Sequence, residues 1–365
     1  MNSVRRLALA LCAAATLSVA HAQAPAGYPA DYAAIVAAAR QEGKVRIYAA
    51  TDTAAATPLI RDFEALYPGV KVEYSDMNTT ELYNRVISEK AAGGTSGDVF
   101  WSSSMDLQIK LVNDGFAMTY KSPEVSKLPE WAVWRNEGYG TTYEPIVFIY
   151  NKRLLKPEEI PQSHADLAKM LAANPERFKG KLTSYDIEKS GVGFLLITQD
   201  ARINPAFWDL ARAIGSASPR FQSSSGTMME RIGSGENLLG FNIIGSYALL
   251  RAKKDPGIGI VMPKDYTLVM SRIMFIAKTA QNSNAAKLWL DYILSKRGQT
   301  IIANQSELGS IRADVEGDLT AHGLAKTLGN ALKPIQVGPG LLTYLDQAKR
   351  LEFIKQWQQT AALRK

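Results

Sequence analysis

Along the chain, short apolar runs with strand character alternate with longer stretches whose apolar residues recur at helical spacing, which predicts an α/β architecture. Lys44-Val45-Arg46-Ile47-Tyr48-Ala49 reads as a strand, followed by the polar loop Thr51-Asp52-Thr53. A helix is expected to start at Thr57 as N-cap with Pro58 at its first position, carrying Leu59, Ile60, Phe63 and Leu66 on one face. Tyr67-Pro68-Gly69 ends it, and Val70-Lys71-Val72-Glu73-Tyr74 is the next strand.

The unit then repeats in kind, though not in sequence. Asp98-Val99-Phe100-Trp101 reads as a strand, Ser102-Ser103-Ser104 as its loop, and a helix runs on to Asn113-Asp114-Gly115. Ile146 to Tyr150 is unbroken apolar sequence, the mark of a strand buried on both faces. Thr183-Ser184-Tyr185 is a further strand, with Ser190 placed to cap a helix beginning Gly191-Val192-Gly193-Phe194. Ile258 to Pro263 and Met270 to Ile276 read as two more strands. One helix is expected from Asn284 to a glycine stop at Gly298, and Leu341, Tyr344, Ala348, Leu351 and Ile354 recur at helical spacing near the end.

The first residues change the picture of where this chain works. Met1 to Arg6 is short and basic, Leu7 to Ala20 is apolar, and Ala20-His21-Ala22 and Ala22-Gln23-Ala24 offer small-residue cleavage sites. That is the pattern of a secretory signal peptide over residues 1–24, and its apolar run is too short for a spanning helix. The expected location is therefore the periplasm. Cys12, preceded by Leu11, lacks the small residue that lipidation wants, so cleavage would leave no cysteine and no thiol chemistry. The remainder is larger than one core usually serves, so two lobes are expected. The formal charge of +7 falls by two when Arg5 and Arg6 leave, and the other basic residues are scattered, which argues against nucleic acid as a partner.

Five features, in order, carry a family resemblance. They are Lys44-Val45-Arg46-Ile47-Tyr48, the run Phe63 to Val72, Gly97-Asp98-Val99-Phe100-Trp101, Ile149-Tyr150-Asn151-Lys152, and Asn284 to Gln299. Together they resemble the periplasmic solute-binding proteins of ABC importers, extracellular solute-binding family 1, in its ferric-iron-type branch. The resemblance implies a type II periplasmic-binding-protein fold, with two α/β lobes, crossing hinge strands and a ligand cleft between them. Residues 25–140, with 265–310 returning, would form the first lobe. Residues 141–264, with the C-terminal helices 311–365 packed on them, would form the second. Hinge segments are expected near Gly140 to Ile146 and Pro263 to Arg272.

The same resemblance speaks against iron. Iron-binding members take a His and a Glu from the first lobe and two adjacent tyrosines from the second. Here the corresponding positions hold Thr51-Asp52-Thr53, Ser102-Ser103-Ser104, and Tyr247 followed by Ala248. His164 and His322 sit in polar contexts and read as surface residues. Ferric iron wants several hard anionic oxygens at once, so no metal and no cofactor is expected.

What the loops offer instead is an anion site. Thr51 to Thr53, Ser102 to Ser104 and Ser190 to Gly193 each join a strand to a helix start, where free N–H groups and the helix dipole favour negative charge. In iron-binding relatives the segment matching Ser190-Gly191-Val192 cradles the accompanying anion, and Gly191 and Gly193 would allow close approach of a ligand. The plain alternative, that these hydroxyls only cap helices, stays open. Asp52 and Glu144 would add a demand for positive charge if both face the ligand, as in a zwitterion. Alternatively, Glu144 pairs with Arg272 across the hinge. Trp101, Tyr143 and Tyr247 are candidates to stack on an organic ligand, or else core aromatics.

No catalytic constellation is present. There is neither a phosphate loop nor a GxSxG elbow, and Gly191-Val192-Gly193 lacks the third glycine of a dinucleotide fingerprint. The function expected is binding of a small organic anion or zwitterion, phosphorylated or phosphonate-like, by a monomer that serves an ABC permease. A ferric or ferric-chelate trap, or a ligand sensor for a membrane histidine kinase, are the alternatives.

Overall fold

The computed structural model describes residues 27–94 and 96–361, so the expected signal peptide and Cys12 lie outside the described residues. The strands are β1 (Lys44–Ala49), β2 (Lys71–Asp76), β3 (Val99–Ser102), β4 (Val133–Trp134), β5 (Gly138–Gly140), β6 (Glu144–Asn151) and β7 (Leu182–Tyr185). They continue with β8 (Arg220–Gln222), β9 (Leu239–Ile244), β10 (Ile258–Val261), β11 (Thr267–Met270), β12 (Ile273–Ile276) and β13 (Leu332–Pro334). The helices through the middle of the chain are α1 (Tyr32–Glu42), α2 (Thr53–Leu66), α3 (Thr79–Ala91), α4 (Met105–Asn113), α5 (His164–Ala173), α6 (Pro175–Phe178) and α7 (Gly191–Ile203). After them come α8 (Phe207–Ser216), α9 (Ser225–Gly233), α10 (Gly245–Lys254), α11 (Ser283–Leu294), α12 (Lys296–Asn304), α13 (Ala321–Leu328) and α14 (Gln347–Thr360).

Among the described residues these strands form two sheets. One has the order β2-β1-β3-β12-β5-β4, with β1 parallel to both neighbours. The other runs β13-β11-β6-β9-β7-β8, with β10 also paired to β6. Helices cover both, giving the mixed α/β architecture that the alternating pattern predicts and the two lobes that chain length and the family resemblance imply. The chain passes from the first sheet to the second between Gly140 and Glu144, back again between Met270 and Ile273, and once more to the second between Ile276 and Leu332. The apolar run Met270 to Ile276, expected as one strand, is therefore two, interrupted at Ser271-Arg272 where the chain changes sheet.

Burial explains why the elements settle here. β6 is buried along almost its whole length, as its apolar run requires. In the first lobe Phe63 on α2 is fully buried, with edge-on contacts to Trp289 and Tyr292 on α11 at centroid distances of 5.1 and 5.4 Å. Burying one such ring is worth about 1.5–3 kcal/mol before geometry is considered. A second core lies in the other lobe around Phe148, Phe194, Phe207 and Trp357.

Three local expectations need correction. Helix α2 starts at Thr53, not beyond Thr57, because the Asp76 carboxylate accepts from the Thr53 amide at 2.9 Å and Ala54 to Ala56 are strong helix formers. Pro58 consequently sits inside the helix. The single helix from Asn284 to Gly298 is two, because Ser295 takes an extended conformation. Its hydroxyl donates to the Tyr292 carbonyl at 2.7 Å and accepts from the Gly298 amide at 3.1 Å, ending α11 and capping α12. His164 is buried rather than superficial. Its ring stacks on Tyr266 at 3.9 Å, and Nδ1 lies 3.0 Å from the Asp265 carboxylate.

Candidate functional site

Six strand-to-helix turns meet in one cleft between the lobes. From the first lobe come the turns after β1, β2 and β3; from the second, those after β7, β8 and β9. Asp52, Asn78, Ser190, Ser224 and Ile244 all line the cleft, and they are the N-cap residues of α2, α3, α7, α9 and α10. Ser103, which also lines it, precedes Ser104, the N-cap of α4. The positive ends of six helices thus border one cavity of about 230 Å³.

Some of these helix starts are occupied by their own caps. Asn78 accepts from the Glu81 amide, Ser190 from Gly193 and Ser224 from Thr227. The starts of α2, α4 and α10 have no side-chain cap, and at α10 the N-cap is Ile244, which has no polar group to offer. At α2 the Thr53 amide is instead held by Asp76, and at α4 the Leu107 amide by Asp106, so the start of α10 is the one with no polar side chain at its N-cap position to compete with a ligand.

Of the residues singled out in the sequence, the structure brings Asp52, Ser103, Ser190, Val192 and Tyr247 to the cleft. The others lie elsewhere. Trp101 is fully buried in the first core, and its indole N–H donates to Thr141 Oγ1 at 2.8 Å. Tyr143 is buried beside Trp131, with its amide on the Gly309 carbonyl. Ser102 is buried and accepts from the Ser104 amide, while Thr53 is turned to Asp76. Gly191 faces away from the cleft: a Cβ there would lie 2.8 Å from both Leu107 and Ser104, and one on Gly193 would lie 2.4 Å from Tyr185. These glycines let the start of α7 pack on protein, not on a ligand.

Glu144 and Arg272 pair with each other and do not line the cleft. Both are fully buried, and Arg272 Nε and Nη2 donate to the two Glu144 oxygens at 2.8 and 3.1 Å. Arg272 Nη1 donates to the Ala50 carbonyl at 2.8 Å and to Thr51 Oγ1 at 3.0 Å, which accounts for buried Thr51. The remaining capacity of Glu144 is filled by the Thr142 and Ser246 hydroxyls. Burial works against the Arg272 charge, yet Glu144 and Tyr247 hold its pKa above the ordinary value.

Several lining residues escaped the sequence reading. Asp76 ends β2 and Met77, Asn78 and Thr79 follow it, while Ser223 to Gly226 follow β8. Both stretches are the same strand, polar loop and helix start as the turns that were noticed, and Asn78 with Glu81 three residues on is a capping-box spacing. Tyr185 and Lys189 complete the second lobe's wall. The Tyr185 hydroxyl is hydrogen-bonded to Ser225.

Charge in the cleft is divided. Desolvation pushes the Asp52 carboxyl above its usual range, against the opposing pull of Arg272, and neighbouring Asp76 adds to the rise. Burial pushes the Tyr247 phenol up to about 12. Hydrogen bonds join the two walls across the gap. Tyr247 lies 3.3 Å from Asp52, the Val192 amide donates to Thr79 Oγ1 at 3.4 Å, and Thr80 Oγ1 donates to the Lys189 carbonyl at 3.2 Å. Among the described residues no group of three or more His, Cys, Asp or Glu side chains is arranged to hold a metal, and no helix is long and apolar enough to cross a membrane.

Comparison with known proteins gives this geometry its context. The family described as bacterial extracellular solute-binding protein matches residues 58–327. The substrate-binding protein of an ABC transporter from Agrobacterium tumefaciens is 39% identical, with a TM-score of 0.83, over 87% of this chain and 94% of that one. The periplasmic binding protein AfuA from Actinobacillus pleuropneumoniae, solved with exogenous fructose 6-phosphate bound, is 21% identical over 88% of this chain and all of that one, with a TM-score of 0.73. Iron-bound HitA from Pseudomonas aeruginosa is 17% identical, with a TM-score of 0.69, over 87% and 99% of the two chains. With the family matched across most of its length and the two-lobed fold shared, the chain belongs to the bacterial extracellular solute-binding proteins.

Proposed function

We propose that this protein is the periplasmic substrate-binding component of an ABC uptake system, and that its cleft takes a small organic anion or zwitterion, with a phosphorylated or phosphonate-like group favoured. The observation that carries the reading is the convergence of six helix starts on one cavity, three of which, at α2, α4 and α10, lack a capping bond from their own N-cap side chain. Each such terminus favours an anion, and hydroxyls of Ser103, Ser190 and Ser223 to Ser225 add neutral donors around it. The size fits. A cavity of 230 Å³ corresponds to roughly eight waters at liquid density, enough for a small organic molecule.

The fold itself holds either kind of ligand, since the Actinobacillus protein is seen with a sugar phosphate and the Pseudomonas protein with iron. The lining groups favour the organic one. They include two carboxylates and two phenols, but one phenol is engaged with Ser225, and Asp76 accepts from the Thr53 amide and hydroxyl. Mechanism on this reading is closure without chemistry. A ligand that touches both walls has higher affinity for the closed arrangement and shifts the population towards it. The chain crossings at Gly140 to Glu144 and Met270 to Ile273 are where the backbone would turn. Native mass spectrometry of protein purified from its host tests the ligand class. An adduct with the mass of a small phosphorylated or phosphonylated compound supports the reading, and an iron adduct alone contradicts it.

A further inference from the structure

The cleft carries two fixed carboxylates, Asp52 and Asp76, on its first-lobe wall, while Lys189 on the opposite wall is largely exposed and lies 3.4 Å from Asp186. Directly beneath that acidic wall lies the buried Arg272 guanidinium. It bonds the backbone of Ala50 and the side chain of Thr51, the two residues before Asp52, and its carbon sits 5.1 Å from the Tyr247 ring centroid. A single positive charge in that place would neutralise the acidic wall from behind. Glu144 offsets it, meeting the guanidinium through both carboxylate oxygens at zero exposure, so that Asp52 stays above its usual range despite the pull of Arg272.

We infer that Glu144 is a specificity-determining residue acting through Arg272: by cancelling the buried guanidinium it leaves the Asp52–Asp76 wall negative, and so selects a phosphate- or phosphonate-bearing ligand that also carries an amine. The inference rests on the anion reading of the cleft and refines it to a zwitterion. Glu144 is a positioning residue and touches no ligand, since its oxygens are filled by Arg272, Thr142 and Ser246. The groups that set the charge state of Asp52 are those facing it: Arg272, Asp76 and Tyr247.

The direct test needs no ligand. In protein carrying carbon-13 at aspartate Cγ, with the Asp52 resonance assigned through Asp52→Asn, the Asp52 titration is followed in wild type and in Glu144→Gln. Unmasking Arg272 should move the Asp52 midpoint down by on the order of one pH unit. An unchanged midpoint in folded Glu144→Gln would overturn the inference. Should that variant fail to fold, wild-type preference decides. Phosphoethanolamine should compete better than glycerol 3-phosphate by on the order of tenfold, and equal or reversed preference would overturn the inference. If neither compound binds yet the midpoint moves as expected, the charge relationship holds and it is the proposed ligand class that fails.

Discussion

The Tyr247 hydroxyl and the Asp52 carboxylate lie 3.3 Å apart across the cleft, one at the start of α10 in the second lobe and the other at the N-cap position of α2 in the first. The same phenol lies 3.3 Å from the Asp52 amide. A contact between side chains 195 positions apart in sequence therefore reports directly on whether the lobes are together. Replacing Tyr247 with Ala should weaken ligand binding by about 1–3 kcal/mol, as measured by calorimetry, and Tyr247→Phe by less, since only the hydroxyl is lost. Full affinity in Tyr247→Ala would make the residue part of the scaffold alone.

Ser190 lines the cleft and caps α7 at once. A glutamate there puts a like charge where the anion is proposed to sit, and Ser190→Glu should lower affinity at least a hundredfold while circular dichroism stays unchanged. Wild-type affinity in that variant would remove the second lobe's helix starts from the binding account.

Trp101 separates core from site. Its indole is fully buried and bonded to Thr141, so Trp101→Phe should cost about 1–2 kcal/mol in urea unfolding and leave ligand affinity as it was. Loss of affinity without loss of stability would place the indole in the cleft after all.

Asp291 sets a pH dependence away from the cleft. Burial raises its carboxyl to about 6, against the hydrogen bonds from Ser122, Tyr120 and Tyr32. An unfolded aspartate titrates near 3.9, so the folded state holds this proton more tightly. The resulting stabilisation is full below about pH 4 and lost as pH rises through 6, worth about 2–3 kcal/mol across that window. Asp106 titrates in the same range for the same reason, also raised by burial to about 6. Asp291→Asn should therefore flatten the fall in unfolding free energy between pH 4.5 and 7; an unaltered slope would contradict the assignment.

How much of this could be read from the chain alone depends on the range of the signal. The β6 strand, the Ser190 cap and the strand-loop-helix units are local patterns, and they appear where their residues place them. The start of α2 was misplaced because its first amide is held by Asp76, a partner on another strand that no local pattern reveals. Trp101 and Tyr143 end up in the interior because side-chain direction at a strand end depends on what packs above it. Glu144 and Arg272 show the same limit. A charged residue beside a hinge reads alike whether it meets a ligand or another charge 128 positions away. Only the assembled sheets reveal that the turns after β2 and β8 join the four others at one cavity.

On the proposed reading this cavity holds an organic anion through helix starts from both lobes. The most direct test is a thermal-shift screen of protein unfolded and refolded to remove bound ligand, against phosphonates, sugar phosphates, carboxylates, amines and ferric salts. A ligand at a hundred times its dissociation constant stabilises by about 2.7 kcal/mol, a shift of a few degrees. That shift is expected with a phosphorylated or phosphonylated compound, and its loss in Ser190→Glu. A shift with ferric salts alone, unaffected by that substitution, would contradict that reading.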